Sequence, residues 1–130
     1  MTERMSDTQE YMADLTQIDE ETLSQLRERK AVLNALDKIK KEYDAAQKKH
    51  PAWPDNASNC SLSGIKENLL AFRQSNDTDK ASAATIILEE LYEALEAILE
   101  GDIEQAKVEL AQTGAMILRL YMNVERYRSK

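Results

Sequence analysis

The stretch from Leu88 to Tyr121, LEELYEALEAILEGDIEQAKVELAQTGAMILRLY, decides the fold of this 130-residue chain. Its first half places Leu88, Leu91, Leu95 and Ile98, with Ala84 and Ile87 before them, at the three-and-four spacing that lines one stripe of a helix. Gly101 then stands where a helix end calls for a left-handed residue. Asp102-Ile103-Glu104-Gln105 resembles a capping box, so a second helix opens at Asp102. The spacing therefore predicts a helix over about Asp79 to Glu100 and another from Asp102 onward, folded back on each other as an antiparallel hairpin. From Val108 to Val124 the only charged side chains are Glu109 and Arg119, and apolar residues occur almost all round the helix, a pattern of buried helices. Tyr121 is accordingly expected in the core.

Working outward, Glu21 to about Lys48 contains neither Gly nor Pro, and Leu23, Leu26, Val32, Leu36, Ile39, Tyr43 and Ala46 mark a long amphipathic helix. It stops at His50-Pro51-Ala52-Trp53-Pro54, because proline lacks an amide donor and disfavours a helical residue before it. A polar loop leads to a short helix over about Leu62 to Gln74, with Ile65, Leu69 and Phe72 on one side. The Ser75-Asn76-Asp77-Thr78 run ends it, and Asp77 or Thr78 is expected to cap the next helix. Residues 1–20 read as a polar tail. The fold class is thus all-α: an antiparallel helical bundle of about four helices, forming one domain over residues 21–130.

Composition narrows the function. With 24 acidic against 17 basic residues and a net charge of -7, the chain lacks the basic surface that a nucleic-acid polymer requires, although free nucleotides carried with a metal remain open. A modest length and 5% aromatic content leave a thin core, and the helix after Asp102 has apolar residues on more faces than one neighbour covers. A homodimer or homotetramer is expected. The lone Cys60 makes neither an internal disulfide nor a cysteine-based zinc site and has no base beside it in sequence, which points to a reducing, cytoplasmic setting. No stretch approaches the roughly 18 apolar residues of a membrane span, and the first residues lack a signal-peptide core.

The chemistry is in the acids. Glu90 and Glu93 lie three apart and Glu89 and Glu93 four apart, so these carboxylates share a side of their helix. Glu96 and Glu100 read as its water-facing side. Glu109 falls on one stripe with Met116 and Leu120, and Gln112 lies one turn along. A carboxylate among apolar neighbours needs a partner, since burying it alone costs several kcal/mol. Two partners stand open: a lysine, Arg119 or backbone donors on one side, and a divalent cation shared with Glu90 and Glu93 on the other, for hard cations select carboxylate oxygens. The lysines at 38, 40, 41, 48 and 49 either complement the end of the first helix or meet triphosphate oxygens. His50 and Trp53 occupy a loop that either closes over a base or plugs the edge of the core. Asn123 and Tyr121 could line a pocket.

Glu89-Glu90-Leu91-Tyr92-Glu93, the Gly101-Asp102 turn and Glu109-Leu110-Ala111-Gln112 together resemble the core of the MazG-like, all-α nucleotide pyrophosphohydrolases, whose pattern is EExxE, a helix-helix turn and ExxD. The resemblance covers Leu88 to Tyr121, and the first helix and the His50 to Trp53 loop match in general layout. Gln112 stands where that family usually has aspartate. The resemblance implies hydrolysis of a nucleoside triphosphate to monophosphate and pyrophosphate, with magnesium, or manganese, held by Glu90, Glu93, Glu109 and Gln112. It implies that Glu89 orients the attacking water or adds a ligand; Lys49, His50, Trp53 and Asn123 are the candidate substrate contacts read from their positions in the chain. The alternative is a non-catalytic helical interaction or regulatory protein, including a nucleotide-binding relative that has lost its chemistry.

Overall fold

The computed structural model describes residues 19–128, in which four helices run α1 (Glu20–Lys49), α2 (Leu62–Asn76), α3 (Ala83–Leu99) and α4 (Ile103–Met122), followed by a 3-10 turn over Val124–Tyr127. The expected tail over residues 1–20 lies outside the described residues up to position 18. Each helix starts on a side-chain cap. Asp19 accepts from the Thr22 amide at 2.7 Å, and Ser61 from that of Gly64 at 3.1 Å. The first turn of α1 carries Glu20 and Glu21 and its last turn Lys48 and Lys49, the arrangement that the helix dipole favours.

The third helix begins later than its sequence predicts. Thr78 does not cap it; its hydroxyl donates to the Ser75 carbonyl at 2.8 Å and closes the turn after α2. Ser82 is the cap instead, reciprocally bonded with Thr85: the Thr85 amide donates to Ser82 Oγ at 3.1 Å and the Ser82 amide to Thr85 Oγ1 at 2.8 Å. A threonine at the third helical position replaces the usual Glu or Gln, so this capping box lacks its ordinary sequence signature.

The α3–α4 corner follows the expectation closely. Gly101 has φ of 80°, and the Asp102 amide donates to Ala97 O while the Gly101 amide donates to Ile98 O, the paired bonds of a Schellman ending. Asp102 caps α4 by accepting from the Gln105 amide at 3.1 Å. The Gln105 side chain reaches Glu109, however, so this cap is no capping box.

Among the described residues the helices pack in the order α2–α3–α4–α1, with the α3–α4 pair the most extensive contact and α4 the one helix that α1 touches. Small residues dominate the buried positions. The buried apolar side chains among the described residues are Ala35, Ile65, Leu69, Ala94, Ala97 and Ala106. Phe72 and Tyr92 meet edge to face, centroids 5.1 Å apart, and tie α2 to α3. The expectation of a buried α4 does not hold within one chain. Val108, Leu110, Ile117 and Tyr121 are exposed, because α4 has helix neighbours on only part of its circumference. Tyr121 is therefore not core. No described helix is long and apolar enough to cross a membrane.

Candidate metal centre

The hairpin brings the acids of α3 and α4 together. Glu90 and Glu93 occupy one side of α3, and the corner at Gly101-Asp102 returns the chain so that Glu109 faces them. Each of these three offers a carboxylate oxygen, and the three atoms lie within 4.8 Å of one another. Glu109 is 9% exposed; Glu90 and Glu93 are half-buried at the edge of the interface.

Crowded like charges favour protonation. Burial pushes the Glu93 carboxyl up from its ordinary 4.5 to about 7, helped by a hydrogen bond with Glu109 and the charges of Glu109 and Glu90, while Arg73 opposes the shift. Glu90 is raised for the same reasons, burial first, then Glu109 and Glu89. Protein donors hold the cluster. Gln105 Nε2 donates to Glu109 Oε1 at 2.7 Å, and Arg73 donates to Glu93 Oε1 at 3.3 Å. The amide of Gln112, oriented by the acceptors around it, has its nitrogen 2.8 Å from Glu109 Oε2 and 2.9 Å from Glu90 Oε2.

Of the proposed ligands, Glu90, Glu93, Glu109 and Gln112 thus come together. Glu89 does not join them; Asn76 Nδ2 donates to its Oε1 at 3.3 Å and to Thr85 O at 3.0 Å, drawing it toward α2. The carbonyl oxygen of the same Asn76 is buried with no partner. His50 and Trp53 line a mainly apolar hollow of about 400 Å³ with Tyr43, Ala46 and Gln47, apart from every acid of the cluster. Trp53 is 87% exposed and plugs no core edge. Lys49 is exposed in the last turn of α1 and does not line that hollow. Asn123 borders a separate hollow, of about 200 Å³, with Arg119 and Arg126. Among the other lysines, Lys40 pairs with Asp44 and Lys41 with Asp37 along α1.

Several neighbours went unnoticed in the sequence. Beside Glu93 and Glu109 lies a cleft of about 180 Å³ also lined by Arg73, Glu96, Glu100, Asp102 and Gln105. Glu96 and Glu100, read above as merely solvated, belong to it, and Glu100 pairs with Lys66 at 3.0 Å. Gln105 could have been found, since it precedes Glu109 by one helical turn. Arg73 and Asn76 could not, being contributed by another helix.

The chemistry available is that of a hard-cation site. Adjacent oxygen ligands of an octahedral magnesium ion stand about 3 Å apart, so the three carboxylates would have to draw together to share one. Without a cation, the same place is a protonatable carboxylate cluster bridged by amides. Comparison with family models, with curated proteins and with solved structures finds no match; the described residues themselves show four helices, all-α, with an acidic triad.

Proposed function

We propose that the chain is a magnesium-dependent nucleoside triphosphate pyrophosphohydrolase, releasing pyrophosphate and a nucleoside monophosphate, in the manner of the MazG-like enzymes that its Leu88 to Tyr121 stretch resembles. The observation that carries this reading is the convergence of Glu90, Glu93 and Glu109 across the α3–α4 hairpin. The donors fit the ion: oxygen atoms of three acids, two of them on one helix and the third nearly buried opposite. When bound, magnesium, or manganese in its place, would neutralise charge developing on phosphate oxygens.

The chain's own residues do the rest. Gln105 fixes the direction of Glu109. Were a cation held there, Gln112 would present its amide oxygen instead of its nitrogen and add a neutral donor to the three acids. Glu89, which the resemblance would assign to the attacking water, is held by Asn76 on the α2 side, so it would have to leave that bond to take the role. Arg73, at the rim of the cleft, is the cation available to a phosphate once Glu93 is engaged elsewhere. At about 180 Å³ the cleft is below the roughly 300–1,000 Å³ of pockets that bury a small ligand, which suits a phosphate group better than a whole nucleotide.

A second reading, a non-catalytic helical interaction or regulatory protein, is favoured by one observation: Gln112, Gln105 and Arg73 already satisfy the acids with protein donors. The deciding experiment incubates the chain with each nucleoside triphosphate and magnesium and measures pyrophosphate. Release that disappears in a folded Glu109→Gln variant supports the enzyme. No release from any triphosphate, together with a melting temperature indifferent to magnesium and manganese, leaves the second reading.

A further inference from the structure

We infer that the hollow at the open end of the α3–α4 hairpin binds a phosphate group through Arg119 and Arg126, without a metal. The site uses none of the acids and so does not rest on the hydrolase reading. The groove between α3 and α4 changes character along its length. Toward the Gly101-Asp102 corner, its cleft is lined by Glu93, Glu96, Glu100 and Glu109. Past Gln112, toward the start of α3 and the end of α4, the hollow of about 200 Å³ has two arginines and, among the described residues, no acid.

The two arginines meet because of how α4 ends. Arg126 comes seven residues after Arg119, so a continuing helix would carry it about 10 Å farther along the axis. Asn123 stops the helix: its backbone amide donates to the Arg119 carbonyl at 3.1 Å, and its side-chain Nδ2 donates to the same oxygen at 2.8 Å. The 3-10 turn over Val124–Tyr127 follows, with the Arg126 amide donating to the Asn123 carbonyl at 3.1 Å. That turn brings Arg126 onto the hollow that Arg119 already lines. The Arg119 guanidinium is laid along the floor, with Nη1 directed at Met116 Sδ at 3.8 Å.

Two like charges facing one hollow repel each other. The acids of the triad relieve the same crowding by taking up a proton, a route closed to arginine, which stays charged at any ordinary pH. A protein carboxylate would serve equally, and this chain of net charge -7 has acids to spare. Yet among the described residues neither arginine is in an ion pair, and the neighbouring Glu125 is engaged by Arg128. What remains is an anion from solution. Two guanidinium forks suit phosphate better than carboxylate, because phosphate offers more oxygens to their donors and a charge near -2 to match theirs. The rest of the floor is apolar, formed by Ile86, Ile87 and Leu120 with Met116, and suits the organic part next to an esterified phosphate. The volume is below the roughly 300–1,000 Å³ of pockets that bury a small ligand, so the remainder of a larger ester would lie outside.

The test is calorimetric titration of the whole chain in chelator at low salt, with orthophosphate, pyrophosphate, adenosine monophosphate and uncharged adenosine as probes. The phosphate-bearing probes should compete for one site, and adenosine should not bind. Tighter binding of the monophosphate than of the inorganic anions identifies an organic phosphate as the source, and the reverse order identifies a free anion. Arg119→Gln and Arg126→Gln should each weaken binding by about tenfold or more, the loss of a hydrogen bond to a charged group. Arg27→Gln, at an exposed arginine of α1, should not. Melting temperatures identify a variant that has failed to fold, and Arg126→Gln, in an exposed turn, carries the test should Arg119→Gln unfold the chain. No binding of any phosphate probe at millimolar concentration overturns the inference. So does binding that survives replacement of both arginines, or adenosine binding as tightly as its monophosphate. Because no metal is present, failure here is distinct from failure of the pyrophosphate-release assay.

Discussion

The side-chain amide nitrogen of Gln112 donates to Glu109 Oε2 at 2.8 Å, and from the same position it reaches Glu90 Oε2 at 2.9 Å. A neutral amide thus stands at the point where an aspartate would place a further charge, and it bridges two acids from different helices. Its effect depends on what else is present. With a cation bound as proposed, the oxygen of the amide would face it; without one, the nitrogen relieves the crowding of the carboxylates.

Gln112→Asp should therefore respond with opposite sign in the two conditions. In chelator the new carboxylate loses the bridging donor and meets Glu90 and Glu109 as a like charge, so stability should fall by about 1 kcal/mol. In magnesium it adds a charged ligand, and metal affinity should rise. Denaturant unfolding of both proteins, with and without magnesium, checks this. Equal shifts in the two conditions would mean that Gln112 is not at a metal site.

Glu93 predicts an unusual pH dependence for the metal-free chain. Its folded pKa of about 7 lies above the ordinary 4.5, so between these values the folded chain keeps a proton that the unfolded chain has released. The stabilisation is present in full below about 4.5 and is lost as pH rises through about 7. Glu90 shifts in the same direction and adds to the trend. Glu93→Gln should flatten the profile of melting temperature against pH. Arg73→Gln removes the one neighbour that opposes the shift, and should extend the fall to higher pH.

Gly101→Ala tests the hairpin corner. The backbone there has φ of 80°, and an added Cβ meets nothing within 4 Å. The cost is conformational alone, about 1–2 kcal/mol for a left-handed alanine. Because the corner brings Glu109 opposite Glu90 and Glu93, the magnesium-induced rise in melting temperature should shrink as well. An unchanged stability would show that the corner readily adopts another form.

Leu69→Ala removes one of the two large, fully buried side chains. With so little else in the core of one chain, the loss should be about 3 kcal/mol or more. Leu70→Ala, its exposed neighbour, should stay within about 0.5 kcal/mol. Chemical denaturation of both variants measures the contrast.

The helices were legible from the chain alone because helix formation is governed by neighbours in sequence. Three-and-four spacing marked α1 to α4, the prolines at 51 and 54 ended the first, and Gly101 with Asp102 set the corner between α3 and α4. That Glu109 lies nearly buried also followed from its place on an apolar helix. The start of α3 was misplaced by a few residues, since Asp77, Thr78 and Ser82 all have capping side chains and only their hydrogen bonds tell them apart.

Contacts between helices were another matter. Periodicity says which residues share a face, but not how far one helix slides along its neighbour or which way it turns. Those two quantities gave Glu93 to Arg73, drew Glu89 away to Asn76, and brought Glu96 and Glu100 into the cleft. They also left Leu36, Ile39 and Ile117 uncovered on residues that any pattern of hydrophobicity would place inside. The sequence by itself determined that these side chains avoid water, whereas only the tertiary structure decided that a single copy lacks the neighbours to cover them, because burial depends on what packs alongside and local propensity does not.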